Sequence, residues 1–513
     1  MDHPIAIVGA GLGGLSAAIH LAANGRRVVL LEQNEHVGGK LDVVEAGGFR
    51  FDTGPSLLTM PWVLRLVFEA AGARLEDELR LIPLDPLCRY TWPDGARFDA
   101  WQSLPRLLPE VARLAPADVA GFLRFMAYSA RLYEAAAGPF LLSPFASLRA
   151  MLRPAAVAGA LAIDPFRTVD RAVRSFFCSP HLRQLFNRYA TYNGSSPYRA
   201  PATFNLIPYV EWSQGGWHVC GGMYEVARAL ERVARRLGVE IRTGTPVDRI
   251  IVRGGAARGV RLAGGEELEC TAVVANVDPR TVYGRLIPQA AAELRRLERL
   301  ELSYSGFVLL LGVEGRYPQL AHHNVFFTAD DRREFDAIVG RRVPYADPTV
   351  YVCAPSVTDP LLAPPGATNL FVLVNAPALS ARVRWAREAG PYRDLVIRRL
   401  ERMGLEGLGR RIVVERVITP ADIAARYAAP GGAIYGLASN GPLAAFLRPP
   451  QRARRIRGLY FAGGGTHPGG GIPLVLLSGR SAAHHLLASG GAASHARVAQ
   501  NEDHHLLASG GAG

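Results

Sequence analysis

The sequence has almost no lysine. Lys40 is the single lysine among 513 residues, so arginine carries nearly all of the positive charge. The arginines are spread along the chain without the clusters of basic and aromatic residues that mark an RNA- or DNA-binding module. This distribution argues against a nucleic-acid partner.

Cysteine is also scarce. The five cysteines are odd in number, are widely separated and form no C-x-x-C pair. This pattern argues against a disulfide framework or a thiolate metal site of the usual spacing. The first residues lead directly into a strand-like segment, without the basic and apolar regions of an export signal. We therefore expect a reducing, cytoplasmic location.

Long hydrophobic runs are missing too. The apolar run at 154–163 is much shorter than the roughly 20 residues that a helix needs to cross a bilayer. The formal net charge of +13 and the isoelectric point near 9.8 predict attraction to an anionic surface, such as the inner face of the cell membrane. The mixed apolar and basic segment from Gly138 to Ile163 predicts either an amphipathic helix in that interface or an ordinary core helix.

A glycine-rich turn lies close to the start of the chain. The residues from Ile5 read IAIVGAGLGGLSAAIHLAANGRRVVLLE, which predicts a strand, a helix and a second strand. In such a βαβ unit Gly9 permits a tight turn, Gly11 lets a pyrophosphate approach the backbone, and Gly14 lets the helix pack on the sheet. Glu32 ends the second strand, where it suits a ribose hydroxyl and disfavours a 2′-phosphate. The unit predicts a dinucleotide site that does not take NADP.

A second glycine-rich loop lies near the other end of the sequence. The segment from Gly458 to Arg480 reads GLYFAGGGTHPGGGIPLVLLSGR. It predicts a strand, a loop and a helix that begins at or near Pro473. One extended ligand lying across both loops would explain why each loop precedes a helix N-terminus.

The sequence after Glu32 separates FAD from NAD. The stretch from Gly38 to Ser56, GGKLDVVEAGGFRFDTGPS, has no use in a plain NAD domain. It resembles the amine oxidase and carotenoid desaturase superfamily of flavoproteins, and the resemblance implies that this stretch passes the pyrophosphate and flavin of FAD. Lys40 stands where arginine is common in that superfamily, which keeps the charge but loses the bidentate fork.

Longer motifs resemble one family within that superfamily. They are SSPYRAPATFNLIPYVEW, GGWHVCGGM, HHNVFFTADDRREFDAI, DPTVYVCAPSVTDPLLAPPG, NLFVLVNAPAL and GTHPGGGIP. These motifs are similar to those of the bacterial-type phytoene desaturases, a family of carotenoid desaturases, hydroxycarotenoid 3,4-desaturases, diapocarotenoid desaturases and some carotenoid oxygenases. The resemblance extends to about Leu487.

The resemblance implies an α/β fold. Its parts are a Rossmann-like FAD-binding domain with a doubly wound parallel sheet, a mixed-sheet substrate domain and a helical membrane-associating region. The length of 513 residues suits several domains. The expected bounds are 1–75, 215–290 and 440–490 for FAD binding, 76–125 and 291–439 for substrate binding, 126–214 for a helical lid, and 491–513 for a flexible tail that repeats the sequence HHLLASGGA.

Interior patterns predict how the chain forms these parts. Alternating residues on both sides of Pro93, Asp94 and Gly95 predict a hairpin. The segment VEIRTGTPVDRIIV, at 239–252, predicts one strand, and AVVANVDP, at 272–279, predicts another that is buried.

The resemblance and the two loops define a candidate cofactor-binding set. It consists of Gly9, Gly11, Gly14, Glu32, Gly39, Lys40, Thr53, Gly54, Pro55, Val247, Asn276, Gly463, Gly464, Gly471 and Ile472. Val247 is placed near the adenine by the resemblance. Many flavoproteins carry an aspartate after the glycines of the second loop, and this chain, like the carotenoid desaturases, has none.

Histidines offer few further candidates. His467, in the second loop, is the one catalytic candidate, although a histidine at a helix entrance more often packs or hydrogen-bonds. His322 and His323 would point apart on an extended strand and have no evident partners, so we expect no metal.

The implied reaction is a desaturation of an acyclic carotenoid of the phytoene, neurosporene or hydroxycarotenoid type, with FAD as hydride acceptor. The resemblance also implies a long apolar polyene taken from the bilayer, and a quinone or oxygen that reoxidises the flavin. Three alternatives stay open: a carotenoid oxygenase, ketolase or isomerase on the same fold, an amine oxidase, and a prenyl-lipid carrier without redox activity. No residue is evident as a general base.

Overall fold

The structure is a computed structural model that describes residues 3–138, 162–441 and 448–489. Most of the basic apolar segment from Gly138 to Ile163 and all of the tail at 491–513 therefore lie outside the described residues. Within the described residues, no helix combines the length and the apolar character that crossing a membrane requires.

Strands of three to ten residues form the sheets. In chain order they are β1 (Ile5–Val8), β2 (Val28–Leu31), β3 (Val43–Ala46), β4 (Phe49–Asp52), β5 (Leu81–Pro83), β6 (Cys88–Thr91), β7 (Arg97–Ala100), β8 (Trp217–Val219), β9 (Glu240–Arg242), β10 (Val247–Arg253), β11 (Ala256–Leu262), β12 (Glu267–Glu269), β13 (Ala272–Ala275), β14 (Ser305–Glu314), β15 (His323–Phe326), β16 (Val350–Cys353), β17 (Ala367–Ala376), β18 (Ile412–Ile418) and β19 (Leu459–Phe461).

Helices cover these sheets. In chain order they are α1 (Leu12–Ala23), α2 (Pro61–Ala70), α3 (Leu75–Glu78), α4 (Leu104–Leu114), α5 (Val119–Ala136), α6 (Val169–Arg174), α7 (Pro180–Asn187), α8 (Leu206–Gln214), α9 (Glu225–Arg236), α10 (Pro279–Thr281), α11 (Ala291–Glu298), α12 (Asp331–Phe335), α13 (Trp385–Arg402), α14 (Leu408–Arg411), α15 (Pro420–Tyr427) and α16 (Ile472–Ser489).

A five-stranded parallel sheet joins distant parts of the chain. Its order is β19-β13-β1-β2-β9, with Ile5 paired to Ala272 on one side and to Val28 on the other. Strands β1, β2, β13 and β19 are buried along their whole length, as expected when both faces of a parallel sheet are covered. This sheet confirms the predicted α/β fold.

The two faces of this sheet contact different layers. Ile5 and Ile7 pack with helices α1, α9 and α16, whereas Ala6 and Val8 pack with the small sheet β10-β11-β12. The alternation follows from the two-residue period of a strand. The carboxyl ends of the strands are thereby left for the loops that follow them.

A seven-stranded mixed sheet forms the second large layer. Its order is β18-β14-β17-β16-β15-β6-β7, and β15 and β6 form its parallel pair. Phe307, Leu309 and Leu311 pack beneath helix α13. Val308 and Leu310 face the opposite way, toward β4. The antiparallel pair β6 and β7 confirms the predicted hairpin around residues 93–95.

The strands of the parallel sheet come from 1–75, 215–290 and 440–490, and those of the mixed sheet from 76–125 and 291–439. Helix α5 runs continuously through the expected boundary at 126. The assignment of these ranges to separate domains stays a prediction.

One predicted strand is wrong as a single element. The segment at 239–252 forms β9 and β10, which belong to different sheets. Gly244 has a φ of +60° and Pro246 follows it, so the backbone turns between the two strands. Val247 consequently begins the strand of the small sheet.

Candidate functional site

The two glycine-rich loops are in direct contact. A Cβ added to Gly13 would lie 2.9 Å from the Gly463 nitrogen and 2.8 Å from the Asn276 side-chain oxygen. Asn276 follows β13, between the strands that precede the two loops, and its side-chain amide donates to the Gly9 carbonyl at 3.2 Å. The sheet order thus brings both ends of the chain to one edge, with Asn276 packed between them.

Backbone geometry in the first loop requires glycine. Gly9 has a φ of +97°, in the left-handed region that favours glycine. Gly14 packs so tightly that a Cβ there would lie 2.2 Å from the Gly9 carbonyl oxygen. Gly39 lies against Gly11, with 3.0 Å from its added Cβ to the Gly11 Cα. The loop therefore offers backbone, with no side chain in the way, where helix α1 begins.

Glu32 connects the second strand to the first loop. Its buried carboxylate accepts the Ala10 N–H at 2.7 Å and the Asn34 N–H at 3.0 Å. Glu32 and Asn34 both line the large cavity described below. This carboxylate therefore orients the loop, and its contact with a ribose hydroxyl stays a prediction.

Lys40 is a half-buried cation on the cavity wall. Its ammonium group donates to the Ile434 carbonyl at 2.8 Å and to the Ala433 carbonyl at 3.2 Å. Burial lowers the Lys40 pKa to about 8, an effect that the nearby Asp278 carboxylate partly opposes. Burial likewise raises the pKa of Asp278. The site thus holds a positive group whose charge is costly until an anion approaches.

Asp52 holds the FDTGP segment in place. Its carboxylate accepts the N–H groups of Met223 and Tyr224, at 2.8 and 2.9 Å, just before helix α9. Burial raises the Asp52 pKa to about 6, although both backbone hydrogen bonds favour the charged form. Gly54 packs on the Lys40 carbonyl, which an added Cβ would approach to 1.9 Å. The Thr53-Gly54-Pro55 stretch is therefore tied both to helix α9 and to the residues after the first loop.

Ser478 and Arg448 hold the second loop through hydrogen bonds to its backbone. The Gly463 N–H donates to the Ser478 hydroxyl at 2.7 Å. Arg448 is buried, and burial lowers its pKa to about 10. Its guanidinium donates to the Gly464 carbonyl at 3.1 Å and to the Leu437 carbonyl at 2.7 Å. Helix α16 begins at Ile472, next to the predicted start at Pro473.

His467 is buried in this loop. Its backbone N–H donates to the Pro449 carbonyl at 3.0 Å, and its carbonyl accepts from the Gln451 side chain at 2.6 Å. The backbone around His467 is therefore firmly bonded, and the residue lines the cavity. A catalytic role for its imidazole stays a prediction.

A cavity of about 690 Å³ extends between the two sheets. With the single exception of Gly14, which packs inside the fold, every residue of the candidate cofactor-binding set lines it. The walls continue past both loops along apolar side chains, which include Leu57, Met60, Leu206, Ile207, Val210, Val308, Phe371 and Leu373. The cavity therefore joins a glycine-lined part to an apolar part.

Sequence reasoning missed several polar residues in the apolar part. Arg188, Glu211, Glu334 and Tyr351 all line the cavity. Glu211 accepts from the hydroxyls of Tyr189 and Tyr192. Burial raises the pKa of Glu334 to about 7 and also raises that of Glu211. Glu334 can therefore accept a proton near neutral pH. In the sequence, the one signal that could have identified Arg188 and Glu211 as site residues is their position in a stretch rich in aromatic residues.

The expected geometry of the paired histidines is wrong. The rings of His322 and His323 lie 4.5 Å apart and contact each other edge to face. Strand β15 begins only at His323, so the alternation of a strand does not apply to His322. Their Nδ1 atoms are bonded to Thr358 and Tyr351.

Cys353 lies beside this pair, and the three residues offer ligand atoms within 4.8 Å of one another. Burial lowers the pKa of both imidazoles and raises that of the thiol. All three groups are therefore uncharged at neutral pH. The absence of a bound metal stays a prediction.

The glycine-lined part fits a dinucleotide diphosphate. Helix α1 has no acidic residue in its first turn, so its N-terminus presents N–H groups without a repelling charge. A Cβ at Gly11 or at Gly39 would fill the groove between the loop and the residues that face it. Glu32 and Lys40 supply one acid and one base on the cavity wall.

The βαβ unit has a glycine-lined groove, and the second glycine-rich loop lies beside it. This arrangement is typical of oxidoreductases that bind a dinucleotide. Residues 12–487 match the model of the flavin containing amine oxidoreductase family. The chain belongs to this family, and it is an FAD-dependent oxidoreductase.

Relatives with assigned names cover nearly the whole chain. A 4,4'-diapolycopene oxygenase from Methylomonas sp is 41% identical over 93% of this chain and 97% of its own length. A zeta-carotene-forming phytoene desaturase from Myxococcus xanthus is 37% identical over 94% of this chain and 93% of its own length. The sequence resemblance to carotenoid-modifying flavoproteins is thereby confirmed.

The fold is also similar to solved structures. The crystal structure of an oxidoreductase from Methanosarcina mazei superimposes with a TM-score of 0.64 at 17% identity. The match covers 93% of this chain and 99% of that one. At this identity the comparison supports the fold and carries no information on the substrate.

Proposed function

We propose that this protein is a carotenoid desaturase that removes two hydrogens from a saturated carbon–carbon unit of an acyclic carotenoid. The observation that carries the proposal is the continuity of the glycine-lined cradle with a long apolar cavity, which suits a dinucleotide and a polyene side by side. The relatives named for diapolycopene and zeta-carotene point to the same substrate class. Bound FAD would supply the hydride acceptor.

The residues of the chain would act mainly by positioning. The first loop, with Gly9, Gly11 and Gly39, would hold the diphosphate, and Glu32 would accept a ribose hydroxyl. Thr53, Gly54 and Pro55 would lie along the flavin opposite the second loop. The apolar walls would align the polyene and exclude water. The same candidate set as a whole, from Gly9 to Ile472, is proposed to contact FAD.

Membrane association is part of the proposal. The net charge of +13 favours an anionic lipid surface. Phe166 and Leu361 are exposed to 75% and 90%, and each would insert readily into an interface. We infer that the enzyme takes its polyene from the inner face of the cell membrane and passes electrons to a quinone or to oxygen.

A second candidate function is an oxygenase on the same fold. It is favoured by one observation, the higher identity to the diapolycopene oxygenase than to the phytoene desaturase, 41% against 37%. An amine oxidase is disfavoured because a protonated amine would meet the Arg188 guanidinium in the cavity. A carrier without redox activity is disfavoured by membership of a flavin enzyme family.

Product analysis tests the proposal. Holoenzyme reconstituted with FAD in phosphatidylglycerol vesicles is incubated with phytoene, lycopene and hydroxylated lycopene, with quinone or oxygen as acceptor. A desaturase yields products that have lost two hydrogens and absorb at longer wavelength. Products that have gained oxygen identify the oxygenase. Flavin that stays oxidised with every polyene under anaerobic conditions overturns the desaturase, and the absence of any changed polyene with oxygen present overturns both.

A further inference from the structure

Arg188 is a charged residue in an apolar cavity wall. It begins the turn Arg188–Asn193 and lies deep in the protein, with its remaining accessible surface on the cavity. A guanidinium keeps its charge at every physiological pH. Such a charge inside a fold is costly unless it is paired.

No acidic group of the described residues pairs with Arg188. Glu211 attracts the guanidinium electrostatically, but its oxygens accept hydrogen bonds from the hydroxyls of Tyr189 and Tyr192. One Arg188 terminal nitrogen is buried without any hydrogen-bond partner. The guanidinium thus has donors that the protein leaves unsatisfied.

Three tyrosine rings surround the guanidinium instead. The Arg188 guanidinium carbon lies 5.4 Å from the ring centre of Tyr192 and 5.9 Å from those of Tyr90 and Tyr351. These contacts stabilise a cation without using its N–H donors. The Tyr351 hydroxyl is already bonded to Ser56 and His323, so it does not accept from Arg188. The three tyrosine rings therefore hold the Arg188 guanidinium in place, and its N–H donors stay available on the cavity side.

We propose that Arg188 binds an oxygen acceptor at one end of the polyene substrate, a terminal carbonyl as in a polyene aldehyde or acid. A guanidinium has only donors, so its ligand must accept hydrogen bonds. The apolar side chains farther along the cavity, such as Leu206, Val210 and Phe371, suit a ligand whose remaining length is hydrocarbon. This inference rests on the proposed function and deepens it, because it makes oxygenated polyenes better ligands than pure hydrocarbons.

Binding is tested with the holoenzyme reduced under anaerobic conditions, which prevents hydrogen abstraction. An acyclic polyene hydrocarbon and the same polyene with a terminal aldehyde or carboxylate are titrated, and the quenching of tryptophan fluorescence is followed. The wild-type protein should bind the oxygenated polyenes about 10- to 100-fold more tightly, as expected for a hydrogen bond to a charged group. Its aldehyde complex should also absorb at longer wavelength than the free aldehyde, since a cation at the carbonyl stabilises the polarised excited state.

Variants locate the effect. Arg188→Met should abolish the preference and the spectral shift while hydrocarbon binding is kept, and Arg188→Lys should retain part of both. Arg199→Met is the matched control, because Arg199 lies at the surface, paired with Glu301. Equal affinity of the wild type for hydrocarbon and aldehyde overturns the inference. It is also overturned if Arg188→Met lowers only the affinity for FAD, because the guanidinium would then contact the flavin. Failure to bind any polyene would overturn the proposed function instead.

Discussion

Gly13 and Gly463 touch, although they lie at opposite ends of the chain. The Gly463 nitrogen is 2.9 Å and its Cα 3.1 Å from where a Cβ of Gly13 would stand. Both residues also face the Asn276 side chain. A side chain at Gly13 would strike the backbone of the second loop, and one at Gly463 would strike the Asn276 side chain that lies between the loops. The close approach of the two loops therefore depends on glycine at both positions.

Gly13→Ala should therefore separate the loops and weaken FAD binding. The added methyl group meets backbone that cannot rotate away, so we expect a stability loss of about 1–3 kcal/mol and a clear drop in flavin content after purification. Thermal unfolding and flavin absorbance measure the two effects. Gly264→Ala is the control, because nothing lies within 4 Å of its added Cβ. Equal flavin content in both variants would contradict the role given to this contact.

Gly479→Ala tests the packing of helix α16 on helix α1. The new Cβ would lie 2.2 Å from the Gly13 carbonyl oxygen and 2.9 Å from the Ala17 nitrogen. We expect the variant to be less stable by about 1–3 kcal/mol, because the helices must move apart. Gly340→Ala, with open space around its added Cβ, should leave the denaturation midpoint nearly unchanged. A Gly479→Ala protein as stable as the wild type would show that the helices adjust freely.

Lys40 should make the stability of the flavin-free protein depend on pH. Burial lowers its pKa from 10.5 to about 8 in the folded state. Between these values the unfolded chain binds more protons than the folded protein, so the stability of the fold rises as the pH is raised from about 8 toward 10.5. Below pH 8 the full cost of burying the charged ammonium group is present. Relative to wild type, Lys40→Met should gain on the order of 3 kcal/mol at pH 7, and this advantage should shrink as the pH rises.

The measurement for Lys40 is urea unfolding of both flavin-free proteins at a series of pH values. Arg65→Met serves as control, since Arg65 is a half-exposed cation paired with Glu76. A constant difference between Lys40→Met and wild type across the range would mean that the Lys40 pKa is not lowered. With FAD bound, the stability gained by Lys40→Met relative to wild type should decrease, because in the wild type the diphosphate would pair with the Lys40 ammonium group.

Asp52 should be needed for stability and for cofactor binding together. Asp52→Ala leaves the Met223 and Tyr224 N–H groups without an acceptor and should cost about 1–2 kcal/mol, as for loss of a helix cap. Asp52→Asn keeps one acceptor and should lose less. The FDTGP segment would shift, so FAD affinity should fall in the same order, measured by fluorescence titration. If Asp52→Ala kept full FAD affinity, the position of the FDTGP segment would not matter for cofactor binding.

Local sequence patterns predicted the parts of the fold that depend on neighbouring residues. The βαβ unit from Ile5 to Glu32, the hairpin at residues 93–95 and the helix beginning near Pro473 all follow from periodicity and turn chemistry. The strand at 239–252 failed because Gly244 and Pro246 turn the backbone inside an apolar pattern. A periodic signal does not show to which sheet a strand belongs.

Residues far apart in sequence escaped prediction. Asp52 was visible in its motif, but its bonds to the residues before helix α9 arise only when β4 and that helix meet. The edge-to-face contact of His322 and His323 depends on where β15 begins. Arg188 looked like one arginine among many, and only the folded chain shows that its neighbours are tyrosines and that no acid pairs with it.

The sequence by itself determined the cofactor class, because glycines at fixed spacing and an acid after the second strand are local requirements of a diphosphate and a ribose. It also determined the family, through motifs spread over most of the chain. Only the tertiary structure decided which side chains share the cavity. Burial and charge pairing are properties of the assembled fold, and these alone distinguish Arg188, Glu211 and Glu334 from the same residue types in contact with water.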